Sequence, residues 1–363
     1  MTQPRALQIC PNDHPPFLDL CRNHAAALEQ AGMEVDTIYL GAPRGERWND
    51  ATYLGIERGA HRMTARLREA VADRGYRLVL AHRYRAHQVA TRARASFPGA
   101  TLVTVAHEFG MLARWRRRWR RRLFANDVLW AGVSEAVADE IRRYGVPAAH
   151  TLVLPNPVDV ARFDASLLPR ETARECLEAP AGARLIGVVG RLHPKKRPHL
   201  ALEGLAGLDE EFHLTFVGDG ALRGALESLA TQLGVAGRVH FAGNVAEASR
   251  YAAAFDAIVV ASTRDEAFGM ALLESMLAGV PAVCSDVPGP RSVLGPEGLY
   301  FVDDTPASVT AALKRCAALL PRERAALSEM QRRRAVELFS VEAVAARYRT
   351  LLSTDAAHLP GAS

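Results

Sequence analysis

Short apolar runs alternate with amphipathic stretches along nearly the whole chain. In the first half the runs Ala6–Cys10, Val35–Leu40, Leu78–Ala81, Leu102–Val105, Val128–Val133 and Leu152–Leu154 predict strands. Stretches with apolar residues at helical spacing predict helices over Asp19–Ala31, Gly59–Arg74, Ala86–Ser96, Trp115–Phe124 and Ser134–Tyr144. Ser134 suits the N-cap of the last helix and Gly145 its C-cap. Pro155-Asn-Pro157 forbids a continuing helix or strand and marks a crossing between domains. The alternation then restarts, with strands at Leu185–Val189, Leu214–Val217, Val239–Ala242, Ala257–Ala261 and Val280–Cys284. Helices fall at Ala221–Leu233 and from Gly269 to Ala278. A last helix carries Val341, Val344, Ala345 and Tyr348 in one apolar stripe that needs a surface to cover, and Ser353–Ser363 reads as a frayed tail. Uniformly apolar strands alternating with helices predict parallel sheets covered on both faces. Ligands of such sheets bind beyond the carboxyl ends of the strands.

Composition adds limits. The 363 residues suffice for two ordinary domains, and 49% apolar with 23% charged residues describes a globular chain. No apolar run is long enough to cross a bilayer as a helix, and the start of the chain shows no signal-peptide pattern. The five cysteines are scattered without paired or zinc-type spacing, so reduced thiols in a cytosolic setting, and no metal, are expected.

Candidate chemistry concentrates at strand ends. Glu266 stands in the loop after the Ala257–Ala261 strand, and Glu274 lies inside the following helix, seven residues intervening. Between them Phe268, Gly269 and Met270 present the first amides of that helix, an anion site of the phosphate-binding type. Acids on either side of a phosphate site make sense if each accepts hydrogen bonds from sugar hydroxyls, which describes a nucleotide-sugar; the plain alternative is a buried strand-helix-strand unit with two solvated acids. After Leu185–Val189, Gly190 permits a tight exit, and Arg191 and Lys196 stand where a diphosphate needs positive charge; a solvated basic loop is the alternative. His107 follows the Leu102–Val105 strand at the same lip, either facing the ligand or capping the strand end. The loop after the first strand, Pro11-Asn-Asp13-His14-Pro-Pro16, holds no glycine, which argues against a nicotinamide cofactor there.

The net charge of +5 is local. It gathers in Arg114-Trp115-Arg-Arg-Arg118-Trp119-Arg-Arg-Arg122, where Trp115, Trp119 and Leu123 share one helical face. Such a helix suits an anionic bilayer surface, with packing into the core and nucleic-acid binding as the other two readings; no nucleic-acid fold accompanies it.

These residues carry a family resemblance. Pro155-Asn-Pro-Val-Asp159, Gly190-Arg-Leu-x-x-x-Lys196, Val217-Gly-x-Gly220, Val239-x-Phe-x-Gly-x-Val245, Glu266-x-Phe-Gly-Met-x-x-x-Glu274 with Ala-x-Gly-x-Pro281, and Phe339-Ser through Tyr348 occur in order. Together the chain resembles the glycosyl transferases group 1 family, retaining sugar transferases of the GT-B fold. The resemblance implies two Rossmann-like α/β/α domains facing across a cleft. An acceptor-binding domain would span 1–160 and a donor-binding domain 161–338, with 339–363 returning to the first domain as a helix plus tail. It implies a nucleoside-diphosphate-sugar donor, expected to be a UDP-sugar, with no metal and no further cofactor. Arg191 and Lys196 would neutralise the diphosphate, Glu274 take the ribose, Glu266 hold the donor sugar and His107 reach that sugar as a catalytic group. Gly218, Asp219 and Val245 would lie near the nucleotide, and Asp13 or His14 near the acceptor. Arg291, where many members carry a Glu, would add positive charge near the site. The expected acceptor is a bacterial envelope glycan or lipid-linked glycan such as lipopolysaccharide core, the enzyme working in the cytoplasm on the inner-membrane face. A nucleotide-sugar epimerase and a non-catalytic basic binding protein on the same scaffold are the alternatives.

Overall fold

A computed structural model describes residues 3–353 apart from 16, 45–46, 73, 123–127 and 302. It divides into two compact units, Met1–Asp159 with the segment from Leu338 onward, and Val160–Glu337. The tail expected beyond Ser353 and the expected helix end at Phe124 lie outside the described residues.

Unit 1 is built on strands β1 (Arg5–Cys10), β2 (Glu34–Tyr39), β3 (Ala51–Tyr53), β4 (Leu78–His82), β5 (Thr101–Ala106), β6 (Val128–Gly132) and β7 (Thr151–Val153). They pair in parallel in the order β3-β2-β1-β4-β5-β6-β7. The chain runs outward in both directions from β1, so the carboxyl ends of β1 and β4 form the topological switch point where such sheets hold ligands. Every residue of β4 and β6 is buried, as the apolar runs Leu78–Ala81 and Val128–Gly132 require, and His82 is buried with them at the end of β4. β3 escapes prediction because three residues carry no periodicity. The helix Val341–Ser353 packs on the helix Phe17–Gln30, burying Val344, Ala345 and Tyr348 as its stripe demands. Its entry is fixed by backbone bonds from Val158 N to Phe339 O (2.8 Å) and from Val341 N to Val158 O (3.0 Å).

Unit 2 repeats the plan with β8 (Arg184–Val189), β9 (Phe212–Val217), β10 (Val239–Gly243), β11 (Ala257–Val260), β12 (Ala282–Ser285) and β13 (Leu299–Phe301). The parallel order is β10-β9-β8-β11-β12-β13, placing the switch point at β8 and β11. Leu214, Phe216, Leu202 and Leu205 anchor a core that joins the sheet to its helices. The exits of β8 and β9 touch backbone to backbone: a Cβ on Gly218 would lie 2.1 Å from the Gly190 carbonyl oxygen, so no larger residue fits at the β9 exit.

Candidate functional site

In unit 2 the loops leaving β8 and β11 are laced together. Thr263 N donates to Lys195 O at 2.9 Å. Arg197, in the left-handed region at φ 43°, donates from Nε to Ala261 O (2.8 Å) and from Nη2 to Ser262 O (2.9 Å) and pairs with Asp304. This lacing brings Lys196 Nζ onto Glu266 Oε2, an oxygen that also accepts from Ser262 Oγ at 2.9 Å. Ser262 is held in turn by Ser285 Oγ, which donates to its carbonyl at 2.7 Å. The helix Met270–Leu277 opens just beyond, with Gly269 as N-cap and Phe268 buried beneath it. Its first-turn amides and dipole therefore face the same lip as Lys196. Arg191 is exposed at the β8 exit, and Glu274 is half-buried in the second turn of the helix, between the buried Leu273 and Ser275.

A cavity of about 340 Å³ opens beside this loop, lined by Arg197, Thr263, Arg264, Asp265, Asp286 and Asp304. A larger one of about 590 Å³ lies at the amino ends of the strands. Its carboxylate, Asp256, is spent on Arg170 (2.8 Å), Arg174 (3.5 Å) and the Leu185 amide (2.8 Å), so it offers a ligand little chemistry.

Some expected groups are otherwise engaged. Asp219 accepts from the Gly220 amide at 2.6 Å and pairs with Arg223 at 3.6 Å, which holds the start of its own helix. Gly218 N donates to Gly243 O at 2.7 Å, and Val245 follows β10 half-buried. Arg291 pairs with Asp286 at 2.8 Å beside the cavity next to the Glu266 loop.

In unit 1 His107 sits at the β5 exit inside a relay of polar side chains. Its Nε2 lies 2.9 Å from His82 Nδ1, and its Nδ1 lies 3.2 Å from Asn156 Oδ1. His82 Nε2 lies 2.9 Å from Gln8 Oε1. Gln8 Nε2 donates to Cys21 O (3.0 Å) and Thr37 Oγ1 (3.1 Å). A backbone carbonyl only accepts, so Gln8 must present its NH2 there and its oxygen to His82. His82 then donates from Nε2 and accepts at Nδ1 from His107 Nε2–H; with both rings neutral His107 Nδ1 carries no hydrogen, so the Asn156 amide must turn to present its NH2 in place of the Oδ1 that lies 3.2 Å away. Burial pushes both rings well below the ordinary histidine pKa, which favours their neutral forms. Beside it His24 Nδ1 lies 2.8 Å from Tyr348 OH, and burial lowers its pKa to about 3.

The acceptor-side expectation divides. Asp13 is buried and accepts from the Arg44 amide at 3.1 Å, tying its loop to the segment after β2; His14 is exposed. Of the Arg/Trp helix, described as Trp115–Arg122, Trp115 is 65% and Trp119 57% exposed, and Arg114 and Arg118 are open to solvent. The reading in which the tryptophans tuck into the core does not hold. Arg117 instead anchors the segment, stacking on Tyr84 at 4.2 Å and donating to Met111 O at 3.0 Å. Leu123 and the Arg122 side chain lie outside the described residues.

Gln8, His82 and Cys21 stand outside any motif in the sequence, and Asn156 shows there only as the centre of Pro155-Asn-Pro157. A glutamine inside an apolar strand and a histidine closing another were the available signals.

Residues 169–334 match the family profile Glycosyl transferases group 1, and residues 20–162 match Glycosyltransferase Family 4. The lipopolysaccharide core biosynthesis glycosyltransferase LpsE of Rhizobium meliloti is 38% identical over 118 residues, covering 32% of this chain and 34% of that protein. The D-inositol 3-phosphate glycosyltransferase of Xylanimonas cellulosilytica is 33% identical over 180 residues, covering 47% of this chain and 43% of that one. The chain thus spans less than half the length of these curated relatives. Among solved structures, Anabaena Alr3699/HepE in complex with UDP and glucose superposes with a TM-score of 0.78 at 18% identity, covering 97% of this chain and 100% of that one, a likeness of fold.

Proposed function

The chain belongs to the glycosyl transferases group 1 family and has its GT-B fold, and from that premise we propose that it transfers a sugar, with retention, from a nucleoside diphosphate to a glycan acceptor. The observation that carries the reading is the Lys196–Glu266 pair beside the opening of the Met270 helix. A cation, a helix amino terminus and a hydroxyl-seeking carboxylate at one lip suit a diphosphate with a sugar attached. As the bond between the anomeric carbon and the diphosphate oxygen breaks, its electron pair goes to the diphosphate. Lys196, Arg191 and the helix amides meet that charge. The acceptor hydroxyl attacks from the face that the leaving group quits, and its proton passes to a diphosphate oxygen. Glu266 orients the donor sugar, Glu274 takes the ribose, and His107 is assigned to the sugar-transfer step in its relayed neutral form. No metal is needed where fixed cations supply the charge.

UDP is the favoured carrier because a fold relative holds it, and lipopolysaccharide core is the favoured acceptor because a sequence relative builds it. The exposed Arg/Trp helix supports peripheral attachment to an anionic membrane at its cytoplasmic face, where a lipid-linked acceptor would lie. No helix among the described residues is long and apolar enough to cross a membrane. Incubation with a panel of UDP- and GDP-sugars, followed by nucleoside diphosphate release, tests the reading. Acceptor-dependent release abolished in Lys196→Ala supports it; an epimerised sugar nucleotide without transfer would move the chain to the epimerase class.

A further inference from the structure

The carboxyl end of β1 holds a pair of thiols that the sequence separates by ten residues. Cys10 closes β1, and Cys21 lies in the second turn of the helix Phe17–Gln30. Both are fully buried, and their sulfurs stand 3.1 Å apart. A nitrogen of His82 lies within 4.8 Å of both, so the three form a group of metal-ligand type. The spacing decides between a metal and a bond. Two thiolates on a tetrahedral zinc, each about 2.3 Å from the ion, sit roughly 3.8 Å apart. Here the sulfurs are closer than that, and both nitrogens of His82 already hold hydrogen bonds to His107 and Gln8. A disulfide at about 2.05 Å needs each sulfur to move inward by only about 0.5 Å.

We propose that Cys10 and Cys21 are a modification site, a dithiol pair that a small peroxide converts reversibly to an intramolecular disulfide. One thiolate attacks the peroxide, taking one oxygen as a sulfenic acid and releasing the other as water. The second thiol attacks the sulfenic sulfur, the S–S bond forms, and the oxygen leaves as a second water. Hydrogen peroxide is reduced and the two thiols are oxidised. Burial raises the Cys10 pKa, so thiolate is scarce at neutral pH and oxidation quickens as pH rises. Full burial also selects for size: peroxide reaches the pair during local opening, and bulky disulfides such as oxidised glutathione do not.

The bond would have a consequence at the relay. It ties the end of β1 to the helix across the loop that carries Asp13. It also pulls on Cys21, whose carbonyl fixes the orientation of the Gln8 amide and through it His82 and His107. Oxidation is therefore expected to slow transfer; this consequence rests on the proposed function, whereas the bond itself does not.

The test treats full-length protein with hydrogen peroxide at pH 7 and pH 9 and maps thiols by mass spectrometry without reduction. Cys176, exposed, reports that oxidant was present. The proposal expects a linked peptide pair containing Cys10 and Cys21, lighter by two hydrogen atoms, formed faster at pH 9. It should revert with dithiothreitol and be absent from Cys10→Ser and Cys21→Ser. Free Cys10 and Cys21 while Cys176 is oxidised, or stoichiometric zinc that blocks the oxidation, would overturn it. Where the bond forms, transfer should fall several-fold and recover on reduction, with Cys21→Ser insensitive. A bond that forms without affecting an active enzyme would overturn the coupling to the relay; a bond in a protein without transferase activity would count against the proposed function instead.

Discussion

Gly289 offers a sharp test of how the Glu266 loop is held. A Cβ on Gly289, in the helix Pro288–Leu294, would lie 1.9 Å from the Glu266 carbonyl oxygen and 2.8 Å from its carbon. Side-chain carbons essentially never approach closer than 3.0 Å, so Gly289→Ala must push the Glu266 backbone away by about 1 Å, and both contacting atoms are backbone. Overpacking of this kind costs about 1–3 kcal/mol. For a unit of this size that lowers the melting temperature by about 2–12 °C. The larger effect is expected on transfer, because a shift of about 1 Å in a catalytic group costs on the order of 100-fold in rate. Gly224→Ala is the control. It lies exposed in the helix Arg223–Gln232, where a Cβ meets nothing within 4 Å, and should stabilise by about 0.4–1 kcal/mol with unchanged transfer. The assays are thermal melts followed by spectroscopy and initial rates of nucleoside diphosphate release. A Gly289→Ala protein that melts and turns over like the parent would refute the claim that this contact fixes the loop.

Acid should destabilise unit 1. Burial holds His24 and His87 at about 3, so between pH 6.5 and that value the unfolded chain takes up protons that the folded chain refuses. Stability is then full above pH ~6.5 and falls by up to about 1.4 kcal/mol per pH unit for each such histidine below it. Denaturant midpoints at pH 7.5 and 5.5 check this, and equal stability at both contradicts it. His82→Phe removes the acceptor for His107 Nε2–H and should lower kcat about 10-fold or more with little change in donor KM; equal losses in both would point to a general structural defect. Trp115→Ala with Trp119→Ala should weaken co-sedimentation with anionic vesicles several-fold while leaving neutral vesicles unbound, and binding should weaken as salt rises. Salt-independent binding unaffected by the double substitution would sink the membrane assignment.

The doubly wound plan was legible because fully buried parallel strands such as β4 and β6 write themselves as unbroken apolar runs. The strand-end loops were legible for the same reason: once Ala257–Val260 is a strand, Glu266 must follow at its carboxyl lip. What the sequence hides is lateral proximity. Lys196 and Glu266 are seventy positions apart and meet only because β8 and β11 pair. Gln8 lies inside β1, His82 closes β4 and His107 follows β5, and only the order β1-β4-β5 makes them neighbours. The same holds for Cys10 and Cys21, whose spacing resembles no metal motif yet spans one strand-loop-helix turn. A sequence shows a charge and not its partner: Asp219 meets Arg223, and Arg291 meets Asp286, only once the chain folds.

The central claim is that the Lys196–Glu266 lip of unit 2 holds the diphosphate of an activated sugar. The most direct measurement is a thermal-shift titration of the intact protein with UDP, GDP and their sugars, compared with Lys196→Ala. A ligand at a hundred times its Kd should stabilise by about 2.7 kcal/mol, visible as a melting temperature several degrees higher, and most of that shift should vanish in Lys196→Ala. No stabilisation by any nucleoside diphosphate or its sugar, or an equal shift in the variant, would contradict the account.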